Sequence, residues 1–274
     1  MKKTNYVLEH KNENDRLEYQ AVQRNYNPEF EFADDELNVS DNSIIVDAGC
    51  GSGVISRLFA NKNRERSIKI FAVDICNDER LENAKERAKA EGISSISFLN
   101  GDIKNLEFAD SSVDVVISRF VYEHNPGDRA FKEITDEAFR VLKPNGLYYV
   151  IDTDGILANM KSDNQDFLNL TNKLLESMSD VFEPYPCQKL PRFLEDAGFK
   201  FETPRHIPMI FCEPSDLEYE DELWRMRFSF FQERMVSIFK DKAQWYEEEF
   251  FKTLWSRKYL FYYNRFIFQA KKPQ

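Results

Sequence analysis

Residues Val46 to Gly53 read V-D-A-G-C-G-S-G and directly follow Ile44 and Ile45. A short β-branched run of this kind predicts a buried strand. It ends in an acid and three alternating glycines, and a helical pattern from Val54 to Ala60 comes next. Glycine lets the backbone turn sharply and lets a ligand approach main-chain N–H groups without meeting a Cβ. A strand that passes into a helix through such a turn makes the ligand-facing edge of an open α/β sheet. The plain alternative is a Gly-rich tight turn, and three glycines at alternate positions speak against it.

A second apolar run, Ile68 to Val73, ends in Asp74. This acid lies about 20 residues beyond Gly53, the spacing at which a carboxylate accepts hydrogen bonds from ribose hydroxyls. Dinucleotide enzymes and S-adenosylmethionine enzymes share that arrangement, and the glycines separate them. The dinucleotide fingerprint G-x-G-x-x-G/A wants a small residue at position 54. Val54 stands there, and the third glycine comes one residue early.

With the stretches that follow, the chain resembles the class I S-adenosylmethionine-dependent methyltransferases. The matching stretches are D-A-G-C-G-S-G (Asp47 to Gly53), A-V-D-I (Ala72 to Ile75) and N-G-D-I (Asn100 to Ile103). V-D-V-V-I-S-R-F-V-Y-E-H (Val113 to His124) and R-V-L-K-P-N-G (Arg140 to Gly146) complete the set. They occur in the family's order between about Asp41 and Asp152. Tyr6 to Gln20 also resembles the leader helix of bacterial small-molecule methyltransferases. The resemblance implies an α/β fold with a Rossmann-like, mostly parallel seven-stranded sheet, an N-terminal leader helix and a helical lid before the last strand. The expected division is a leader over 1–42, a cofactor-binding domain over 43–213 and 257–274, and a lid over 214–256.

The patterning agrees with alternating strands and helices. Strands are expected at Ser43–Asp47, Ile68–Asp74, Ile96–Leu99, Val113–Ser118 and Leu147–Asp152. Asn77 is the expected cap of a helix with Leu81, Ala84 and Ala88 on one face, stopped by Gly92. Phe131, Ile134, Ala138 and Val141 mark an amphipathic helix from about Arg129 to Leu142. Further helices are expected near Asp163–Asp180 and Cys187–Ala197, then a strand at Lys200–His206 and a closing strand at Tyr259–Phe268. Pro214–Ser256 carries an aromatic load including Trp224, Phe228, Phe231, Tyr246 and Phe250. That load fits a substrate-lining lid, a plain core or a homodimer contact.

The resemblance assigns roles to particular residues. Gly49, Gly51 and Gly53 meet the methionine part of S-adenosyl-L-methionine through the backbone, and Asp47 orients the loop and the cofactor's amino group. Asp74, with Ile75 after it, accepts the ribose hydroxyls, and Asp102 and Ile103 contact adenine. Arg119 belongs to the segment whose main chain holds the methionine end. Arg16 and Gln20 in the leader are candidates to reach the cofactor carboxylate. Methyl transfer is an in-line displacement that depends on near-attack geometry, and a base helps when the acceptor must lose a proton. Tyr122, Glu123 and His124 are the candidates for that base. Asp152 and Asp154 are candidates to face the acceptor, with loop caps as the alternative.

Net charge excludes little but tilts the rest. A formal charge of −11 disfavours a nucleic-acid partner, since phosphate binding needs a cationic surface. Lys2 and Lys3 have no apolar stretch behind them, so no secretory signal is expected, and no run suits a membrane span. Cys50, Cys76, Cys187 and Cys212 form no C-x-x-C pair, which fits reduced thiols in the cytoplasm. No cluster has metal-ligand spacing. Ser118 to Val121 lacks the D/N-P-P-Y/F signature of enzymes that methylate nucleobase or glutamine amino groups. The expected function is methylation of O, N or C on a small organic molecule. The alternatives are a non-catalytic S-adenosylmethionine-binding or assembly protein and an NAD-dependent oxidoreductase.

Overall fold

The computed structural model describes residues 8, 10–32, 37, 39–76 and 78–274. The expected Asn77 cap and part of the Tyr6–Gln20 stretch lie outside them. Five parallel strands form the body of the sheet: β1 (Ile44–Ala48), β2 (Lys69–Asp74), β3 (Ile96–Asn100), β4 (Val113–Arg119) and β5 (Leu142–Asp154). β1, β4 and most of β5 are buried on both faces and read as near-continuous apolar runs, while β3 lies at the edge with only Phe98 buried. Successive side chains point to opposite faces. Val46, Val113 and Val116 join one apolar cluster with Phe131, Ile134 and Val141. Ile45, Val115 and Ile117 join another with Ile55, Phe59 and Ile70.

Helices α2 (Val54–Lys62), α3 (Asp78–Ala90) and α4 (Asp128–Val141) connect these strands, and α5 (Gln165–Ser177) and α6 (Pro186–Ala197) follow β5. The expected apolar faces are met: Leu81, Ala84 and Ala88 are buried on α3, and Phe131, Ile134, Ala138 and Val141 on α4. Gly198 ends α6 in the left-handed conformation, as a C-terminal glycine does.

The sheet has eight strands where seven were expected. The stretch after Gly198 divides into β6 (Lys200–Phe201) and β7 (Arg205–Phe211), and both pair antiparallel with the last strand, β8 (Phe261–Lys271). Pro204 lies in the break and has no N–H to give a ladder. Phe201 opposes Ala270 and Arg205 opposes Ile267, so the broken side carries one extra residue, a bulge. The order is β3-β2-β1-β4-β5-β8-β6, with β7 also on β8. Strand order reverses between β1 and β4, and the crevice at their carboxyl ends is where ligands bind in such sheets.

Between β7 and β8 the chain forms α7 (Pro214–Phe230), α8 (Gln232–Phe239) and α9 (Ala243–Ser256). Its aromatic residues pack chiefly on one another and on α5. Phe228 and Trp224 each lie 4.9 Å from Phe250, and Tyr246 stacks on Phe167 at 5.2 Å. Most of the aromatic load is therefore core.

Ahead of the sheet, α1 (Glu13–Ala21) and two short 3-10 turns bring Glu31 over the strand ends. Glu31 is fully buried between two arginines. Its Oε2 accepts from Arg119 Nε at 2.6 Å, and its Oε1 accepts from Arg265 Nη1 at 2.5 Å. Replacing Glu31 by Gln would leave both cations without a countercharge. We expect Glu31→Gln to lose roughly 3–5 kcal/mol of stability, read by urea unfolding. A loss under about 1 kcal/mol, the size of a surface pair, would refute it.

Candidate active site

A cavity of about 400 Å³ opens at the carboxyl ends of β1, β2 and β4. Main-chain bonds shape its floor. The N–H groups of Gly49 and Cys50 donate to Val73 O at 2.8 and 3.1 Å, which pins the loop after β1 against β2. Asp74 receives Gly51 N–H on Oδ2 at 2.8 Å and Cys76 N–H on Oδ1 at 2.9 Å. Each oxygen keeps a further lone pair. Gly101 N–H donates to Asp74 O at 3.0 Å, which carries Asp102 and Ile103 to the same wall.

Asp47, Gly49, Gly51, Asp74, Ile75, Asp102, Ile103, Arg119, Arg16, Gln20, Glu123 and His124 all border the cavity. Gly53 does not. It precedes α2 at φ +77°, and a Cβ there would lie 2.6 Å from the Phe98 ring, so this glycine serves helix-to-strand packing. Asp102 also makes the local turn its sequence suggests, accepting Lys104 N–H at 2.9 Å.

Asp47 is buried and accepts the Ser56 hydroxyl at 2.6 Å in the first turn of α2. Burial pushes its carboxyl up to about 6, with the Ser56 hydrogen bond opposing and the charge of Asp74 adding. Arg119 turns its guanidinium to Glu31 and to Tyr26 O at 2.6 Å, so that side chain is committed to the leader. The next residue, Phe120, has φ +56°, and its N–H donates to Ile151 O at 2.8 Å. An aromatic residue in that conformation is strained, a trait that gathers at ligand sites. In the leader, Arg16 forks onto Glu13 with two bonds of 2.7 Å and reaches Gln20 Oε1 at 2.5 Å.

The three base candidates separate. Tyr122 is fully buried, with its hydroxyl 2.8 Å from Thr135 and 2.9 Å from Tyr148, and it does not border the cavity. Glu123 and His124 do. His124 Nε2 stands 3.2 Å from Glu123 Oε1, and the Thr153 hydroxyl donates to Glu123 Oε2 at 2.7 Å. Burial alone would raise the Glu123 carboxyl. The hydrogen bond and charge of His124, the Thr153 bond and the charge of Arg227 outweigh it and hold Glu123 below its ordinary range.

Asp152 and Asp154 take the cap role instead of facing an acceptor. Asp152 accepts the N–H groups of Val121 at 3.1 Å and Tyr122 at 2.8 Å, and shapes the loop after β4. Asp154 accepts Cys187 N–H at 2.8 Å in the first turn of α6. Neither borders the cavity. The other end of the cavity is apolar, with Tyr26, Phe120, Leu157, Phe182, Trp224 and Phe231 on its wall. Arg227 borders it too and was missed in the sequence. Glu220, Trp224 and Arg227 recur at helical spacing on α7, which was the available signal.

The family model described as methyltransferase domain matches residues 39–198, more than half of the chain. The chain belongs to this methyltransferase family. The class I S-adenosylmethionine-dependent resemblance is thereby borne out, and the nicotinamide reading is set aside. The sterol 24-C-methyltransferase erg6 of Aspergillus fumigatus is 29% identical over 136 residues, covering 49% of this chain and 33% of that protein. The ubiquinone/menaquinone biosynthesis C-methyltransferase UbiE of Rickettsia felis is 29% identical over 176 residues, covering 58% and 69%. The chain thus spans about a third of the length of the sterol relatives it matches. Haemonchus contortus phosphoethanolamine N-methyltransferase 2, solved with S-adenosyl-L-methionine, has a TM-score of 0.56 at 19% identity. The match covers 91% of this chain and 53% of that one, a likeness of fold.

Among the described residues, no helix is long and apolar enough to cross a membrane. The raised Asp47 carboxyl makes a pH prediction. The folded protein keeps this proton where the unfolded chain has lost it, so the contribution to stability is present at low pH and lost as pH rises through about 6. Asp47→Asn cannot titrate and should remove its share of the slope between about pH 4 and about pH 6, leaving the shares of Asp154 and Asp152, whose carboxyls burial also raises. Urea unfolding across that range checks it, and an unchanged slope would count against the assignment.

Proposed function

We propose that the protein transfers a methyl group from S-adenosylmethionine to a small organic acceptor with an apolar body. The observation that carries this is one cavity with two unlike ends. At one end, strand-end acids and main-chain N–H groups suit a nucleoside and an amino acid. At the other, aromatic walls surround the Glu123–His124 pair. Pockets for small molecules have this make-up, apolar walls with a few placed polar groups.

In this reading Asp74 accepts the ribose hydroxyls on the lone pairs that Gly51 and Cys76 leave free. Asp102 and the Ile103 N–H hold adenine, and Asp47 faces the amino group. The backbone at Gly49 and Gly51 meets the methionine chain. Arg16 and Gln20 close the leader over it. The cofactor supplies an electrophilic methyl group on a sulfonium. The protein supplies orientation, exclusion of water and, through His124 held by Glu123, a place for the acceptor's proton. Tyr122 and Gly53 support these residues from below. Residues 214–256 act as the lid and residues 1–42 as the leader that meets it. The C-methylating relatives favour carbon as the methylated atom. Tyr219 and Trp255 are the exposed aromatics of the lid on which a homodimer contact would rest. No disulfide links Cys50, Cys76, Cys187 and Cys212, which supports the cytoplasm as its compartment.

Calorimetric titration with S-adenosylmethionine, S-adenosylhomocysteine and NADH tests the donor. Micromolar binding of the first two is expected, weakened at least about tenfold in Asp74→Ala. NADH binding without sulfonium binding would overturn the reading. A ligand ammonium beside Asp47 also favours its ionised form, so binding at about pH 5 should release protons. Titrations in two buffers of unlike ionisation enthalpy read that release, which Asp47→Asn should abolish.

A further inference from the structure

Several cations border the cavity, and they differ in how firmly they are held. Arg16 is forked on Glu13 with two bonds of 2.7 Å, and Arg119 is forked on Glu31 at 2.6 and 3.0 Å. Lys104 adjoins Asp102 and Arg80 stands beside Asn14 of α1, both at the donor end. Arg227 lies at the aromatic end. Its approach to Glu220 is a single nitrogen at 3.2 Å, and its bonds to Gln20 Oε1 and the Tyr26 hydroxyl are 3.4 and 3.3 Å. Charge-assisted bonds of an arginine run to about 2.7–2.9 Å.

Glu220, meanwhile, has other donors. The Tyr263 hydroxyl reaches its Oε1 at 2.7 Å, and the Tyr26 hydroxyl lies 3.2 Å from its Oε2. The carboxylate is therefore served largely by phenols. The guanidinium, with five N–H donors in a planar fork, keeps capacity for a better acceptor. It is only 6% exposed and sits on the cavity wall beside Tyr26, Trp224 and Phe231. Its charge is felt at Glu123 on the β4 side of the same space.

We infer that Arg227 is the receptor for a carboxylate on the methyl acceptor. The inference rests on the methyl-transfer reading above and narrows its substrate class to apolar or aromatic acids. The acid's carboxylate forks onto Arg227, its body lies along the aromatic wall, and its reacting atom faces Glu123 and His124. A dianionic phosphate suits this place less, because Glu220 already faces the guanidinium and Glu123 lies on the same cavity, so each further negative charge on the ligand adds repulsion that a monoanionic carboxylate keeps smaller.

The probes are cinnamate and cinnamamide, alike in shape and unlike in charge, with octanoate as an aliphatic acid. They are titrated into the full chain saturated with S-adenosylhomocysteine. Cinnamate is expected to bind at least about tenfold more tightly than cinnamamide. Arg227→Gln should erase that preference and Arg227→Lys should keep part of it, each measured at saturating S-adenosylhomocysteine after its own affinity for that ligand is titrated. Because Arg227 is buried, the melting temperature of each variant is measured alongside, and the lysine variant decides if the glutamine variant is unfolded. Equal binding of the amide and the acid, or no millimolar binding of either acid, overturns the inference. So does loss of S-adenosylhomocysteine binding in Arg227→Lys with the acid preference intact, since Arg227 would then serve the donor. Failure of the wild type to bind S-adenosylhomocysteine is a separate result that removes the methyl-transfer reading itself.

Discussion

The buried carboxylate of Glu31 decides whether this protein has an enclosed site at all. It takes Arg119 from the end of β4 and Arg265 from β8, and its carbonyl accepts the Tyr149 hydroxyl at 2.7 Å. Three strands are thus bound to a segment that belongs to none of them. Such a cluster adds little net stability, because desolvating three charges offsets their attraction. Its effect is positional. With Glu31 seated, Tyr26, Gln20 and Arg16 come to lie on the cavity wall, and the crevice at the strand ends becomes a chamber.

The two ends of that chamber are built by different physics. The end at the tips of β1 and β2 is mostly backbone: Gly49, Cys50, Gly51, Cys76 and Gly101 give their N–H groups to Val73 and Asp74. These bonds belong to the parallel sheet and its turns, so the end is rigid before any ligand arrives. The aromatic end is made of side chains from the leader, the loop after β4 and the helical insertion. It can vary among proteins that share the sheet, which is how one fold hosts many acceptors.

Acids near the chamber sort by environment. Burial pushes Asp47 and Asp154 up to about 6 and raises Asp152 too, while Glu123 is held down by His124, Thr153 and Arg227. A carboxylate that stays charged can fix a histidine. Acids that give their oxygens to backbone N–H groups, as Asp152 and Asp154 do, shape loops.

The amino-acid sequence by itself determined the sheet and the donor end. The alternation of β-branched runs with helical patterns is local, and so are the glycine turn after Asp47, the acid at the end of β2 and the N-G-D turn before Ile103. The extra strand was not legible, because the break at Pro204 depends on which edge of β8 is open. Nor could the sequence sort Tyr122 from its neighbours Glu123 and His124. Only the folded loop, pulled tight by Asp152, sends the first into the core and the other two toward the cavity. The aromatic run of the insertion read as core and as lining with equal force, and packing put Phe228 and Phe250 inside while leaving Trp224 and Phe231 at the wall. Arg227 became visible only through Glu220, Tyr26 and Gln20, two of which lie some two hundred residues away in the chain. Local pattern reports what a segment does with its own neighbours. Which side chains meet across a chamber is settled by long-range contacts that no single segment encodes.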